Sequence, residues 1–184
     1  MKHINNEYYH VFNRGVDRRN IFLEEADYRR FLAILTEFNS FGRSENTTFN
    51  IQHGHRDRIS IKPLVEVIDY CLMPNHYHLI LKQLESGGIS EFMRKIGIGY
   101  TNYFNLKNDR SGVLFQGRTK FKHVGTDKYY QYLVEYVYLN PVDLVEPEWK
   151  KVGIKDYQKV LRFLEKYPWS SAKNLDWFIE IASR

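Results

Sequence analysis

At 184 residues the chain is long enough to bury one sizeable core, and its 43% content of hydrophobic residues excludes a wholly disordered protein. No apolar run reaches the length of a membrane span, "MKHINNEYYH" lacks the apolar segment of a signal peptide, and the lone Cys71 cannot form an internal disulfide; we therefore expect a cytoplasmic protein with no membrane partner. The net charge of +5, the pI near 9.1 and the 16% aromatic content favour a polyanionic partner whose unpaired bases can stack on aromatic rings.

The first third of the chain predicts a strand, a helix and a loop. Tyr8–Arg14 ("YYHVFNR") alternates between apolar and polar residues and is followed by a glycine, which is typical of a strand. Residues 25–41 carry apolar side chains at helical spacing and predict the first helix. Residues 42–62 are polar and have no sustained period, so they predict an inserted loop.

A β-hairpin is predicted next. Leu64–Leu72 ("LVEVIDYCL") and His76–Lys82 ("HYHLILK") are rich in apolar and β-branched residues, as strands are. Met73–Asn75 lies between them and contains Pro74, which cannot donate to a central ladder and therefore favours a turn.

The second half of the chain predicts two helices, one strand and an extension. Residues 88–107 have helical spacing, with Ser90 as a candidate cap, and residues 113–124 form a basic strand. Residues 126–140 predict a third helix that begins at a threonine or aspartate cap and ends before a proline. From about residue 142 the chain predicts a short helical extension.

The order of these elements, βαββαβα, predicts the fold class. It indicates an α+β protein with an antiparallel sheet and helices packed on one face, the split βαβ arrangement of ferredoxin-like and RNA-recognition folds. We see no repeat and no linker, so we predict one domain over residues 1–184.

Two histidines in the third strand are candidate metal ligands. His76 and His78 are two positions apart, so their side chains share a face of the sheet, with Cβ atoms about 6.5–7 Å apart. Both rings can bind one ion if they are neutral, which holds above a pKa of about 6.5. Two ligands do not make a site, so another residue must contribute. The alternative is a pair of half-exposed histidines on a sheet surface.

The third helix offers a partner for this pair. Tyr136 and Asn140 lie four positions apart on the same side of the helix. The most apolar face of the helix is centred about 110° away from Tyr136, which places this tyrosine at the margin of the buried face. The alternative is an aromatic side chain that serves only in packing, as most of the 14 tyrosines must.

Basic residues gather beside the first and fourth strands. As a group they suggest a track for phosphates, although each could equally belong to a solvated rim. The candidate residues of this phosphate track are Arg14, Arg18, Arg19, Arg118, Lys120 and Lys122.

Seven motifs follow one another along nearly the whole chain. They are "YHVFNRG", "RRNIFLEEADYRRFL", "YCLMPNHYHLIL", "YTNYFN", "GVLFQGR", "YVYLNPV" and "YPWSS". Together they resemble the HUH single-tyrosine transposases, specifically the branch of REP-associated tyrosine transposases, among insertion-sequence enzymes. His76-Tyr77-His78 matches the HUH element, Tyr136 occupies the position of the nucleophile, and Asn140 falls where related enzymes place a metal-binding Gln or Asn. The polar segment 42–62 is longer than the family pattern.

The resemblance implies a reaction and a substrate. It implies that His76, His78 and Asn140 hold Mg²⁺ or Mn²⁺ and that Tyr136 attacks a phosphodiester, giving a 5′-phosphotyrosine that serves in DNA strand transfer. The DNA is expected to be single-stranded or a hairpin with an adjacent single-stranded sequence. Family members include monomers and homodimers, so either state is open.

Two other functions remain open from the sequence. A basic, aromatic-rich sheet could bind RNA without any chemistry, although binding alone does not require His76, His78 and Tyr136 together. An HUH replication-initiator nickase shares the same chemistry and the same order of histidines and tyrosine along the chain. A relaxase is disfavoured because here the tyrosine follows the histidines.

Overall fold

Four strands form one antiparallel sheet in the computed structural model, which describes residues 3–40 and 62–172. The strand order is β2-β3-β1-β4, so β1 and β3 are central and β2 and β4 are edges. The strands are β1 (Tyr8–Arg14), β2 (Val65–Met73), β3 (His76–Gln83) and β4 (Lys120–Val124). The predicted α+β class and antiparallel sheet are confirmed.

Five α-helices accompany this sheet within the described ranges. They are α1 (Glu25–Glu37), α2 (Gly88–Lys107), α3 (Asp127–Leu139), α4 (Trp149–Val152) and α5 (Tyr157–Lys166), with short 3₁₀ turns at Val16–Arg18 and Asn140–Leu144. The start of α2 differs from the prediction, because Gly87 takes the left-handed conformation (φ 75°) as its N-cap and Ser90 lies inside the first turn. No helix in the described part of the chain is long and apolar enough to cross a membrane.

One face of the sheet carries most of the hydrophobic core. Tyr77, Leu79 and Leu81 of β3 point to this face, and α1 and α2 cover it. The two helices pack closely because a Cβ at Gly99 of α2 would overlap the ring of Phe38, just after α1.

The other face is covered by α3, which is a difference from the expectation that all helices share one face. Ile80 of β3 and Cys71 of β2 pack there with Leu133 and Val137 of α3. The physical reason is that α3 has its own apolar stripe. Side chains of β3 alternate between the two faces, and Ile80 points to the face on which that stripe packs. The helices therefore lie on both faces, with α3 packed on the face that carries the histidines.

The N-terminus of α1 is tied to the C-terminus of α2. Glu24 and Asp27 form a capping box, in which each side chain accepts from the other residue's backbone N–H. Asp27 is fully buried, and Lys107 and Tyr103 of α2 both donate to it. These charged hydrogen bonds lower the pKa of Asp27 against the opposing effect of burial, so the carboxylate stays ionised.

The C-terminal extension returns to the free edge of β2. The Tyr167 hydroxyl donates to the Leu72 carbonyl (2.6 Å), and the backbone N–H of Ser171 donates to the Tyr70 carbonyl (2.9 Å). Trp169 stacks on Tyr28 of α1 with 4.5 Å between ring centroids. The extension thus covers the edge of β2 at Tyr70 and Leu72. The predicted loop at residues 42–62 lies outside the described residues except for Lys62, and the division into one domain stays a prediction.

Candidate active site

The β2–β3 hairpin places His76 and His78 on the face of the sheet that α3 covers. His78 lies opposite Phe12 of β1, and His76 lies opposite Arg14, so all four side chains share that face. The two imidazole rings are nearly perpendicular, with 5.1 Å between their centroids. The pair is therefore convergent rather than spread over an open surface.

Asn140 reaches this pair from the end of α3. Its Oδ1 lies 3.2 Å from His76 Nε2, and its Nδ2 donates to the Tyr136 carbonyl at 3.2 Å. The second contact fixes the amide so that oxygen, not nitrogen, faces the imidazole. Asn140 is only 1% exposed, because Pro141 ends α3 and turns the chain into the 3₁₀ segment at this point.

Both ring nitrogens of His76 face amide oxygens. Nδ1 lies 2.6 Å from the Asn75 Oδ1, and the Asn75 Nδ2 is occupied by the Arg18 carbonyl. Burial is the main cause that lowers the pKa of His76, so the ring is neutral at pH 7 and carries one N–H for two acceptors. With that proton on Nδ1, the lone pairs of Nε2 and the Asn140 Oδ1 face each other, an arrangement that a cation between them would relieve.

The donor set fits a divalent cation. His76 Nε2 and Asn140 Oδ1 are 3.2 Å apart, close enough that both could bind one Mg²⁺ or Mn²⁺ ion. Among the residues that the structure describes, no three His, Cys, Asp or Glu side chains are grouped to hold a metal. A site here would therefore depend on the amide oxygen as its third protein ligand.

His10 on β1 is a functional candidate that sequence reasoning missed. Its Nε2 lies 2.8 Å from His78 Nδ1, and the two rings stack at 5.0 Å. Burial, with a smaller effect of Lys122, lowers the pKa of His10 to about 4, and burial lowers that of His78 well below its usual value. Both rings are neutral, so they share one hydrogen bond; with His78 as donor, the lone pair of its Nε2 is free to bind an ion.

Tyr136 lies against the edge of this arrangement. Its half-buried ring meets His78 at 5.4 Å between centroids and 87° between planes. We use the name histidine cluster for His76, His78, Asn140 and Tyr136. The predicted nucleophile and the three predicted ligands are thus brought together, although nothing in the geometry alone assigns their roles.

The neighbouring tyrosines of α3 are placed differently. Tyr138 points away from the cluster, and its hydroxyl donates to Asp69 Oδ1 at 2.7 Å. Burial, followed by this hydrogen bond to a carboxylate, raises the pKa of Tyr138. Tyr132 lies one turn before Tyr136 and is exposed.

A basic pocket opens beside the cluster. It has a volume of about 580 Å³, and Phe12, Arg14, Arg18 and Lys120 line it together with both histidines. Arg18 sits in a turn whose residues Asp17 and Arg18 both have positive φ (53° and 59°), an uncommon conformation outside glycine. The Asn75 side chain donates to the carbonyl of Arg18, which couples this turn to the β2–β3 hairpin.

The other basic candidates are spread around this pocket. Lys122 lies on the same face, exposed, with its Nζ 4.4 Å from the Tyr129 ring centroid. Arg118 is exposed just before β4. Arg19 packs against Gly15, where a Cβ would overlap the Arg19 carbonyl, and its Nε is buried. Lys150, which the sequence did not single out, lies 5.4 Å from the Tyr136 ring centroid and ion-pairs with Asp143.

Two solved structures are similar to this chain. One is a REP-associated tyrosine transposase bound to a REP hairpin, 21% identical, with a TM-score of 0.58 over 92% of this chain and 78% of that one. The other is a candidate transposase from Deinococcus radiodurans R1, 14% identical, with a TM-score of 0.44 over 73% and 91% of the two chains. Neither protein-family models nor curated protein sequences gave a match. At this identity the first comparison establishes architecture: the chain has the fold of the REP-associated tyrosine transposase.

Proposed function

We propose that the chain is a transposase of the HUH single-tyrosine type, which nicks single-stranded DNA and transfers the strand through a 5′-phosphotyrosine. One observation carries this proposal: Tyr136 packs on His78 while its own carbonyl orients Asn140 toward His76. The residue proposed as nucleophile and the three proposed as metal ligands lie in a single cluster beside a basic pocket. The fold shared with a REP-associated tyrosine transposase supports it.

His76, His78 and Asn140 would hold Mg²⁺ or Mn²⁺. Such an ion would polarise a non-bridging phosphate oxygen and neutralise charge that develops on the phosphate. The protein's part is to keep both imidazoles neutral by burial and to fix the Asn140 amide, so that two nitrogens and one oxygen are available. Imidazole and amide ligands without a thiolate suit these ions, although ligand type alone does not separate them.

The chemical step is a transesterification at phosphorus. The Tyr136 Oη attacks in line, the P–O3′ bond breaks, and a bond between Oη and phosphorus forms. The phenol proton is lost from Tyr136, and the departing 3′ oxygen gains one, so the products are a 3′-hydroxyl and a 5′-phosphotyrosine. The reverse attack by another 3′-hydroxyl releases the phenol, which is a better leaving group than an aliphatic alcohol because the aromatic ring delocalises the charge of the phenolate. No ATP is needed, because one phosphodiester replaces another.

The substrate is proposed from the pocket and from the relative. Arg14, Arg18 and Lys120 line the pocket and suit a phosphodiester backbone, and the similar solved transposase is bound to a REP hairpin. We infer a hairpin-associated single strand as the DNA. A monomer or homodimer as the active state stays a prediction, as does cytoplasmic localisation.

A cleavage assay with two labels tests the proposal. Hairpin DNA with a single-stranded flank is incubated with the protein and Mn²⁺ and separated on a denaturing gel. A label at the 3′ end should report a protein–DNA adduct, whereas a label at the 5′ end should report a shorter free strand. Tyr136→Phe should abolish both products, because the attacking oxygen is lost. DNA binding should be nearly unchanged, because only that oxygen is lost and the aromatic ring is kept.

Tyr132→Phe and Tyr138→Phe are matched controls on the same helix. Both should retain the adduct, and circular dichroism should show that all variants are folded. If the adduct persists in Tyr136→Phe and disappears in one of the controls, the tyrosine replaced in that control would be the nucleophile instead. Tight binding of RNA with no DNA adduct would instead favour the non-catalytic RNA-binding module.

A further inference from the structure

Three tyrosines form a row on the exposed side of α3. Tyr129, Tyr132 and Tyr136 follow the spacing i, i+3, i+7, so they lie on one face of the helix. Adjacent rings have centroids 6.3 Å apart in both steps, and their planes differ by only 26° and 23°. We call Tyr129, Tyr132 and Tyr136 the tyrosine ladder.

Core packing accounts for part of this row, because Tyr129 and Tyr136 lie half-buried against the apolar cluster beneath α3, but it does not account for Tyr132. The buried side chains of α3 are Leu133 and Val137, which contact the sheet. Tyr132 is 60% exposed, so its ring does little to fill the core. Single exposed aromatic residues are ordinary, but an aligned set that continues into a candidate active site is a surface that a ligand can use.

A lysine stands at each end of the ladder, and the one beside Tyr136, Lys150, also pairs with Asp143 at 2.7 Å. The Nζ of Lys122 lies 4.4 Å from the Tyr129 ring centroid, and the Nζ of Lys150 lies 5.4 Å from the Tyr136 ring centroid. Lys122 belongs to β4 and Lys150 to α4, so two separate elements direct cations toward the same helix face. Three aromatic rings with a lysine at each end match a partner that carries both bases and phosphates.

The spacing of the rings favours an unpaired strand. In a duplex the rise is about 3.4 Å per nucleotide of one strand, so a separation of 6.3 Å is close to twice that rise. Rings at this interval can each receive one base of a strand whose bases are drawn apart, whereas a stacked duplex presents its bases too closely and turned inward. The ladder thus fits single-stranded DNA better than duplex DNA.

We propose that the tyrosine ladder is a base-stacking platform, and that it guides the single strand next to the scissile phosphate into the site. Bases stack on Tyr132 and Tyr129, while Lys122 and Lys150 contact the backbone. The inference rests on the proposed function, because Tyr136 is both the last ring of the ladder and the proposed nucleophile. It adds to that function a surface that recognises the substrate as an unpaired strand.

Binding without catalysis tests this inference. Fluorescence anisotropy is measured with an oligothymidylate of about 12 nucleotides, within the usual site sizes for single strands, in the presence of a chelator and at one fixed salt concentration. All variants carry Tyr136→Phe, which keeps the aromatic ring and prevents a covalent adduct. Tyr132→Ala and Tyr129→Ala should each weaken binding about 5- to 100-fold, and Tyr132→Phe should not.

Two controls separate stacking from other effects. Leu106→Ala removes an exposed apolar side chain from α2, on the opposite face of the sheet, and should change nothing. An abasic oligonucleotide with the same number of phosphates should bind the parent and Tyr132→Ala equally, because it has no bases to stack.

Several results would overturn the inference. They are an unchanged affinity in Tyr132→Ala, an equal loss with the abasic strand, or a dependence on the ladder seen only with RNA of the same sequence. The outcome is independent of the cleavage assay: a ladder effect without any adduct would disprove the proposed chemistry alone, and an adduct without a ladder effect would disprove the platform alone.

Discussion

Each histidine of the cluster has one ring nitrogen held by a neighbouring side chain. Asn75 Oδ1 contacts His76 Nδ1, and His10 Nε2 contacts His78 Nδ1. In both rings the other nitrogen is Nε2, which in His76 lies 3.2 Å from the Asn140 Oδ1. Such outer partners fix ring orientation and tautomer, and they raise the basicity of the ligating nitrogen. His10 is therefore a positioning residue for His78 rather than a catalytic one.

Removing His10 should weaken metal binding without removing a ligand. His10→Ala should lower Mn²⁺ affinity by about 10- to 100-fold, because His78 loses the partner that orients it. Isothermal titration calorimetry on the protein without DNA measures this, and His10→Gln, which can still hydrogen bond, should recover part of the affinity. His123→Gln, on the exposed side of β4, is the matched control. Equal affinity in His10→Ala and the parent would leave His10 a packing residue.

The strand β4 shows how an element directs charge. Lys120 pairs with Phe12 and Lys122 pairs with His10, so both lysines lie on the face of the histidine cluster, whereas His123 pairs with Tyr9 on the other face. As an edge strand, β4 also uses exposed lysines to discourage pairing with other chains. The alternation of side chains along β4 therefore has two effects: its exposed lysines favour solubility, and they lie beside the proposed DNA path.

Replacing the basic residues of this element should change the salt dependence of binding. The triple variant Arg118→Ala, Lys120→Ala, Lys122→Ala should bind single-stranded DNA more weakly, with the slope of log K against log salt reduced by up to about 2, since each phosphate contact contributes about 0.7. Arg29, Arg30 and Arg94, which are paired with carboxylates on α1 and α2, provide a triple control. A slope equal to the parent's would indicate that Arg14 and Arg18, rather than these three residues, contact the phosphates.

The elements were largely readable from local signals in the sequence. β1 has the predicted bounds. Both ends of β2 and the C-terminal end of β3 differ from the prediction by one residue. The agreement is close because period-2 alternation and Pro74 are local features of the sequence. The Thr126 cap of α3 is also present: its Oγ1 accepts from the backbone N–H of Tyr129. The sequence did not predict that α3 covers the second face of the sheet. An apolar stripe indicates that a helix is buried, but it does not indicate which surface the helix packs against.

The site was readable in part for the same reason. The shared face of His76 and His78 follows from their spacing, and the four-residue spacing of Tyr136 and Asn140 follows from the helix. The contact of His10 with His78 depends on the register between β1 and β3, 68 residues apart, and no local pattern encodes that register. Lys150 is placed by a turn and a four-residue helix, for which the sequence gives no periodic signal.

At the scale of the whole molecule, the two faces of the sheet have different energetic roles. The face beneath α1 and α2 is a continuous apolar core, whereas the face beneath α3 buries His10 and His78 among apolar and aromatic side chains. Buried histidines keep the site neutral and ready to bind a cation, but the folded state resists their protonation. The arrangement that prepares the site therefore makes the fold sensitive to acid.

Stability should fall as the pH drops from 6.5 toward 4. The pKa of His10 is about 4 in the folded chain, against about 6.5 when unfolded, chiefly because of burial and then because of Lys122. A lowered folded pKa means that the unfolded state binds the proton first, so the stabilisation is complete above pH 6.5 and is lost progressively down to about pH 4. That difference corresponds to about 3 kcal/mol of unfolding free energy, and His78, whose pKa is also lowered, acts in the same direction.

Urea unfolding followed by circular dichroism at a series of pH values checks this expectation. His10→Gln should be less stable than the parent at pH 7.5, where the imidazole is neutral and only packing and the contact with His78 are lost. The gap between the two proteins should then narrow by about 3 kcal/mol between pH 7.5 and pH 4, because the variant has no proton to take up at this position. Measuring the gap within one pair of proteins separates titration at residue 10 from all other groups. Parallel stability curves for the parent and His10→Gln would show that His10 is not the buried, neutral imidazole on which the proposed orientation of His78 depends.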